Sequence, residues 1–131
     1  MTAMTDFLEN AFLNQVLRNL PYAPASTDIY CALFTTPTDD AGGGSEVSPG
    51  LGYSRQLVAT FDPPVGGVST NSVPATFGPA TSPWGLVTNF AVYDSLVGGN
   101  MLFHGPLTVP KTVNIGDNFV FPAGNISVSA D

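Results

Sequence analysis

His104, Cys31 and the three carboxylates of TDDAGGGSEVSPGLGYSR (38–55) are the groups in this chain whose types and spacing invite a search for chemistry. Asp39, Asp40 and Glu46 offer oxygen ligands to a hard cation such as calcium. Gly42, Gly43 and Gly44 offer a backbone free enough to wrap a phosphate. Neither pattern completes itself. The acid spacing does not match an EF-hand loop, and GGGS lacks the lysine of a phosphate loop, precedes no helical segment and lies among acids that repel an anion. Asp39 and Asp40 are sequence neighbours on a loop, so they do not form the spaced, opposed pair that glycoside hydrolysis requires.

His104 is the only histidine. It would have to be the base of any Ser-His-Asp set, yet no serine lies in a G-x-S-x-G elbow. Cys31, the only cysteine, can form no intramolecular disulfide, and its setting in DIYCALF marks it as a small buried hydrophobe without a nearby cation to activate it. The inventory therefore argues against an enzyme and against a metal or other cofactor. What remains for the 38–55 loop is geometry. Glycines on both sides of SEVSP permit an arm or flap, and the loop is expected to reach toward a neighbouring subunit.

The elements that must carry these residues are mainly β. DIYCALF (28–34), YSRQLVATF (53–61), SVPATF (72–77), LVTNFAVYD (86–94), MLFHG (101–105), KTVNI (111–115), NFVF (118–121) and NISVSA (125–130) are short runs rich in β-branched and aromatic residues, punctuated by Gly, Pro and Asn. They predict an antiparallel β-sandwich or jelly roll of about eight strands in a single domain. VGGN (97–100) and NIGD (114–117) read as hairpin turns, and Pro74 demotes its run to an edge or a bulge. Ahead of them, Leu8, Phe12, Val16 and Leu20 recur at i+4, which predicts one N-terminal α-helix over about 6–19, capped by Asp6 and stopped by Pro21 and Pro24. Its apolar stripe is expected to cover an open end or face of the β domain, or else to dock on a partner.

Composition narrows the function. Three basic residues (Arg18, Arg55, Lys111) stand against ten acids, a net charge of −7, so a phosphate backbone is repelled and nucleic acid is excluded as a direct partner. Only 10% of residues are charged and mean hydropathy is +0.21, against a usual charged share of about 25%. Such a surface suits a protein whose faces are covered by neighbours. No basic-then-apolar leader and no apolar run of membrane-spanning length occur, so the product is expected to be soluble and unexported, with no membrane partner.

The pieces FLENAFLNQVLRN, CALFTTPTDDAGGGSEVSPGLGYSRQ, WG-x-V-T (84–88) and KTVNIGD together resemble a family of small tailed-bacteriophage virion proteins, usually described as phage tail fibre proteins. The resemblance covers almost the whole chain. It implies a virion structural protein, assembled in the host cytoplasm, whose partners are the major capsid protein or other virion proteins, with homo-oligomers (dimer or trimer) expected. A short β domain with a helical arm and no repetitive shaft fits a capsid decoration or cement protein better than a tail fibre. The alternative is a tail fibre or baseplate-associated protein that binds a carbohydrate receptor through Tyr53, Trp84 and Tyr93. Candidate contact residues are Phe7, Leu8 and Phe12 of the helix, Val47, Leu51 and Tyr53 of the loop, and Trp84, which could equally close one end of the core. Arg55 is expected to pair with a carboxylate, and Lys111 likewise.

Overall fold

Alternation in YCALF and LVTNFAVY sends successive side chains to opposite faces of a sheet, and these runs form the central strands of a computed structural model that describes residues 2–130. In chain order the elements are β1 (Ala3–Met4), α1 (Asp6–Leu17), β2 (Tyr30–Phe34), β3 (Gln56–Leu57), β4 (Val68–Thr70), β5 (Ala75–Phe77), β6 (Gly85–Tyr93), β7 (Met101–Val113), β8 (Phe119–Phe121) and β9 (Ser127–Ser129). The fold is mainly β and antiparallel with one N-terminal helix, as the sequence predicts. The layers are unequal. One five-stranded sheet, in the order β1-β7-β6-β2-β3, is accompanied by two ribbons, β4-β9 and β5-β8.

One face of the large sheet, with Cys31, Leu33, Phe90 and Val92, shares a core with Ala75, Phe77, Phe119 and Phe121 of the β5-β8 ribbon. Phe77 sits at its centre, stacked on Tyr53 at 6.0 Å and met edge-on by Phe119 and Phe121 at 6.1 and 6.2 Å. These aromatic pairs add directional preference to the burial of apolar area. The opposite face carries a smaller cluster: Ala32, Phe34, Ala91, Tyr93 and Met101.

Several element boundaries differ from the sequence expectation. MLFHG and KTVNI belong to one strand, β7, although Pro106 and Pro110 lie inside it. The prolines are accommodated because β7 bulges: Val87 faces Lys111, whereas Asn89 faces Pro106. YSRQLVATF keeps only two residues as strand, since its flanks turn inward to bury Tyr53 and Val58. The helix begins at Asp6, but its cap is Thr5, whose hydroxyl accepts from the Leu8 N–H at 3.4 Å and also donates to the Met101 carbonyl at 2.6 Å. It ends before 19 because Asn19 takes φ 53°, in the left-handed region, ahead of Pro21. The described ends of the chain meet: the Ser129 N–H donates to Thr2 Oγ1 at 2.9 Å.

Candidate functional site

The 35–52 loop folds back on the chain rather than reaching away from it. Its first half lies over the smaller cluster. Gly44 has φ 119°, and a Cβ there would stand 3.0 Å from the Phe34 ring and 3.1 Å from the Pro37 carbonyl. Glycine is required by contact as well as by conformation. His104, buried on β7, holds the same segment with both ring nitrogens: Nδ1 lies 2.9 Å from Thr38 Oγ1 and Nε2 lies 2.7 Å from Asp40 Oδ1. The Asp40 carbonyl in turn accepts the Asp6 N–H at 2.9 Å, joining the loop to the first turn of α1.

Thr38, His104 and Asp40 thus stand in the order of a nucleophile–base–acid relay, an arrangement that no spacing in the sequence announces. The geometry serves as a latch. Thr38 Oγ1 also accepts from Asn89 Nδ2 at 3.4 Å, and the neighbouring cavity of about 280 Å³ is lined by Asp6, Asp40, Tyr93 and Met101 among others, without Thr38 or His104. The three side chains satisfy one another's polar groups over the sheet face that the loop covers.

The second half of the loop is fixed by Arg55. Its guanidinium grips Glu46 with two bonds of 2.9 Å, donates to the Ser95 and Gly98 carbonyls at 2.9 and 2.8 Å, and lies over the Tyr93 ring at 3.6 Å. This planar, bidentate use of arginine cannot be copied by lysine. Tyr53 completes the node: its hydroxyl donates to Glu46 at 2.6 Å and accepts the Leu33 N–H at 3.0 Å. Burial, followed by the hydrogen bond and charge of Glu46, pushes the Tyr53 phenol well above its ordinary range. Among the described residues Lys111 makes no carboxylate pair. It donates to the Asn118 carbonyl at 3.2 Å, with its ammonium 5.6 Å from the Phe119 ring centre.

The three carboxylates of the loop are therefore engaged separately. Asp39 accepts the Gly43 N–H at 2.8 Å, Asp40 meets His104 and Glu46 meets Arg55. Among the described residues no three His, Cys, Asp or Glu side chains gather as a metal site. Cys31 is fully buried, which raises its thiol pKa and leaves it inert. A cleft of about 430 Å³ beside β7 and β8 has Lys111 as its one charged lining residue among the described residues.

Of the contact residues named from the sequence, Val47, Tyr53 and Trp84 lie in the main core and Leu51 is half-buried against it. Trp84 is 5% exposed, donates from Nε1 to the Leu51 carbonyl at 2.8 Å and meets Tyr53 edge-on at 5.6 Å. Closing the core is its place in the structure, because burying an indole with its N–H satisfied inside the chain outweighs leaving it in water. With Tyr53, Trp84 and Tyr93 all buried, the aromatic platform imagined for a sugar is not on the surface.

The helix differs from them. No residue of α1 is buried. Leu8, Glu9, Ala11 and Asn14 are half-buried, and Phe7 packs edge-on against Tyr22 at 6.5 Å. Phe12, Leu13, Val16, Leu17 and, just beyond the helix, Leu20 are between 44% and 74% exposed. The stripe does not cover the β domain, which corrects the first sequence expectation for it. The reason is that both sheet faces are already covered by the ribbon and by the loop.

No helix among the described residues is long and apolar enough to cross a membrane. No curated protein sequence matches the chain. A family model described as "Podophage GP4 fiber I protein gp80" matches residues 3–129. The matched span takes in the exposed helix, the latched loop and every strand, and the chain belongs to this family of bacteriophage virion structural proteins.

Proposed function

We propose that the protein is a fibre component of the virion, working by protein–protein contact and without catalysis. The observation that carries this reading is the apolar side of α1, where Phe12, Leu13, Val16 and Leu17 are exposed together with Leu20 just beyond the helix. Large contiguous exposed apolar patches rimmed by polar residues mark interaction sites. The low share of charged residues and the fibre description of the family support the same reading. The buried positions of Tyr53, Trp84 and Tyr93 weigh against a sugar-binding role built on those residues.

Head decoration is the second reading, favoured by the absence of a repetitive shaft in this sequence. Electron microscopy of parent virions, with copy number from quantitative mass spectrometry, separates the two. Copies confined to the tail are expected for a fibre component, whereas copies spread over the shell establish decoration. Particles lacking the protein altogether overturn both.

A further inference from the structure

The large sheet is incomplete on the side of β1. That strand pairs with β7 only at Phe103 and His104, so from Gly105 to Val113 the same edge of β7 has no strand beside it among the described residues. Among those residues β8 is likewise hydrogen-bonded to β5 alone. The cleft of about 430 Å³ lies between the two, lined by residues 106–109 and Lys111 of β7 on one side and by 119–121 of β8 on the other. Phe90, Phe119 and Phe121 of the main core contribute to its walls. It is therefore a seam between two incompletely paired strands, with apolar surface inside. An unpaired edge of this kind is a template for another extended chain. The strand nearest to hand is the same edge of a second copy, which can meet it antiparallel about a two-fold axis.

Three features of β7 oppose that addition. Pro106 faces Asn89 in the ladder with β6, and proline fits such a position where its missing N–H would point away from the partner strand. The free edge thus lacks a donor at 106. Next, residues 107–110 stand against the single residue Thr88, a bulge that bends the edge out of line and carries a second proline, Pro110. Last, Lys111 reaches across the seam: its ammonium donates to the carbonyl of Asn118, just before β8, at 3.2 Å and lies 5.6 Å from the Phe119 ring centre. An entering strand has to displace that bond and cover an ammonium, which costs free energy unless a new acceptor arrives with it. We propose that Pro106, Pro110 and Lys111 guard the β7 edge against pairing with a second copy of the chain. The proposal does not depend on the contact reading of α1.

The test restores the edge without adding apolar surface. Combining Pro106→Thr, Pro110→Thr and Lys111→Thr supplies two backbone N–H groups and removes the side chain that crosses the seam. In sedimentation equilibrium the triple variant is expected to self-associate about tenfold or more tightly than the wild type. Its amides within 105–113 should gain protection from hydrogen exchange as concentration rises. Pro63→Thr with Pro64→Thr, at exposed prolines outside β7, should leave association unchanged. Association of the triple variant equal to that of the wild type overturns the proposal, and so does an equal gain from the Pro63 and Pro64 pair. Protection gained only outside 105–113 overturns it as well. Circular dichroism checks that each variant folds, and the wild type supplies an arm that needs no substitution. Its amides at 107–109 should exchange at the same rate in dilute and concentrated solution; exchange that slows with concentration shows the edge pairing despite the guard, and ends the proposal.

Discussion

At the residue scale, two groups decide how tightly the loops are held. Arg55 is 8% exposed at its side chain and Glu46 25%, so removing one partner strands the other in a poorly hydrated place. Arg55→Ala is expected to cost on the order of 3 kcal/mol, read as a lowered urea midpoint, and Arg55→Lys should recover only part of it. Asp94 is the second. Burial by itself would raise its carboxyl pKa, but N–H donors from Ala25 at 2.9 Å and Asn100 at 2.7 Å outweigh burial and lower it. A lowered folded-state pKa stabilises the fold above the ordinary carboxyl range, near ~4, and that stabilisation disappears as pH falls through the depressed value. Thermal melts of the wild type should therefore weaken more steeply on acidification than those of Asp94→Asn; parallel pH profiles would discard this assignment. Arg55 paired with a carboxylate is legible from composition, since cations are few. The identity of that partner, and the grip of His104 on Thr38 and Asp40, are not, because they join residues brought together only by the sheet.

Among the elements, the helix shows most clearly what periodicity can and cannot say. An i+4 repeat establishes that an apolar side exists, and the helix does form from Asp6 to Leu17. Which way that side faces depends on whether the rest of the chain leaves a surface uncovered. Here the loop at 35–46 and the β5-β8 ribbon have already taken both faces of the sheet. The cap differs from the sequence expectation for a similar reason: Asp6 and Thr5 are equivalent as local capping signals, and the choice is made by the long-range bonds of Thr5 to Met101 and Leu102 at 2.6 and 3.2 Å. Thr5→Ala should cost about 1–2 kcal/mol and speed amide exchange across residues 6–17 before the sheet is affected. Exchange accelerated uniformly over the chain would show that Thr5 serves the sheet rather than the helix. The sequence predicts two runs, MLFHG and KTVNI, where the structure has the single strand β7, because proline breaks a regular ladder and a bulge cannot be foreseen from one strand alone.

For the whole molecule, stability is concentrated around Phe77, Tyr53 and Trp84 rather than at the helix. Trp84→Ala is expected to cost about 3–5 kcal/mol, whereas Leu17→Ala, at a 74% exposed position, should change the melting temperature little. Comparable losses from the two would mean that α1 is part of the cooperative core. The sequence makes the β class, the helix and the family resemblance legible. It leaves hidden the division of labour between apolar residues that close the core and those that face outward, since hydrophobicity is the same in both. The bond from Ser129 to Thr2 also bears on engineering. With its described ends side by side, the chain is close to a ring. Joining residue 130 to residue 2 by a short linker and reopening at the exposed Val65–Gly67 turn should yield a circular permutant with the same sheet order, and with new termini at a hairpin tip to which a reporter can be attached.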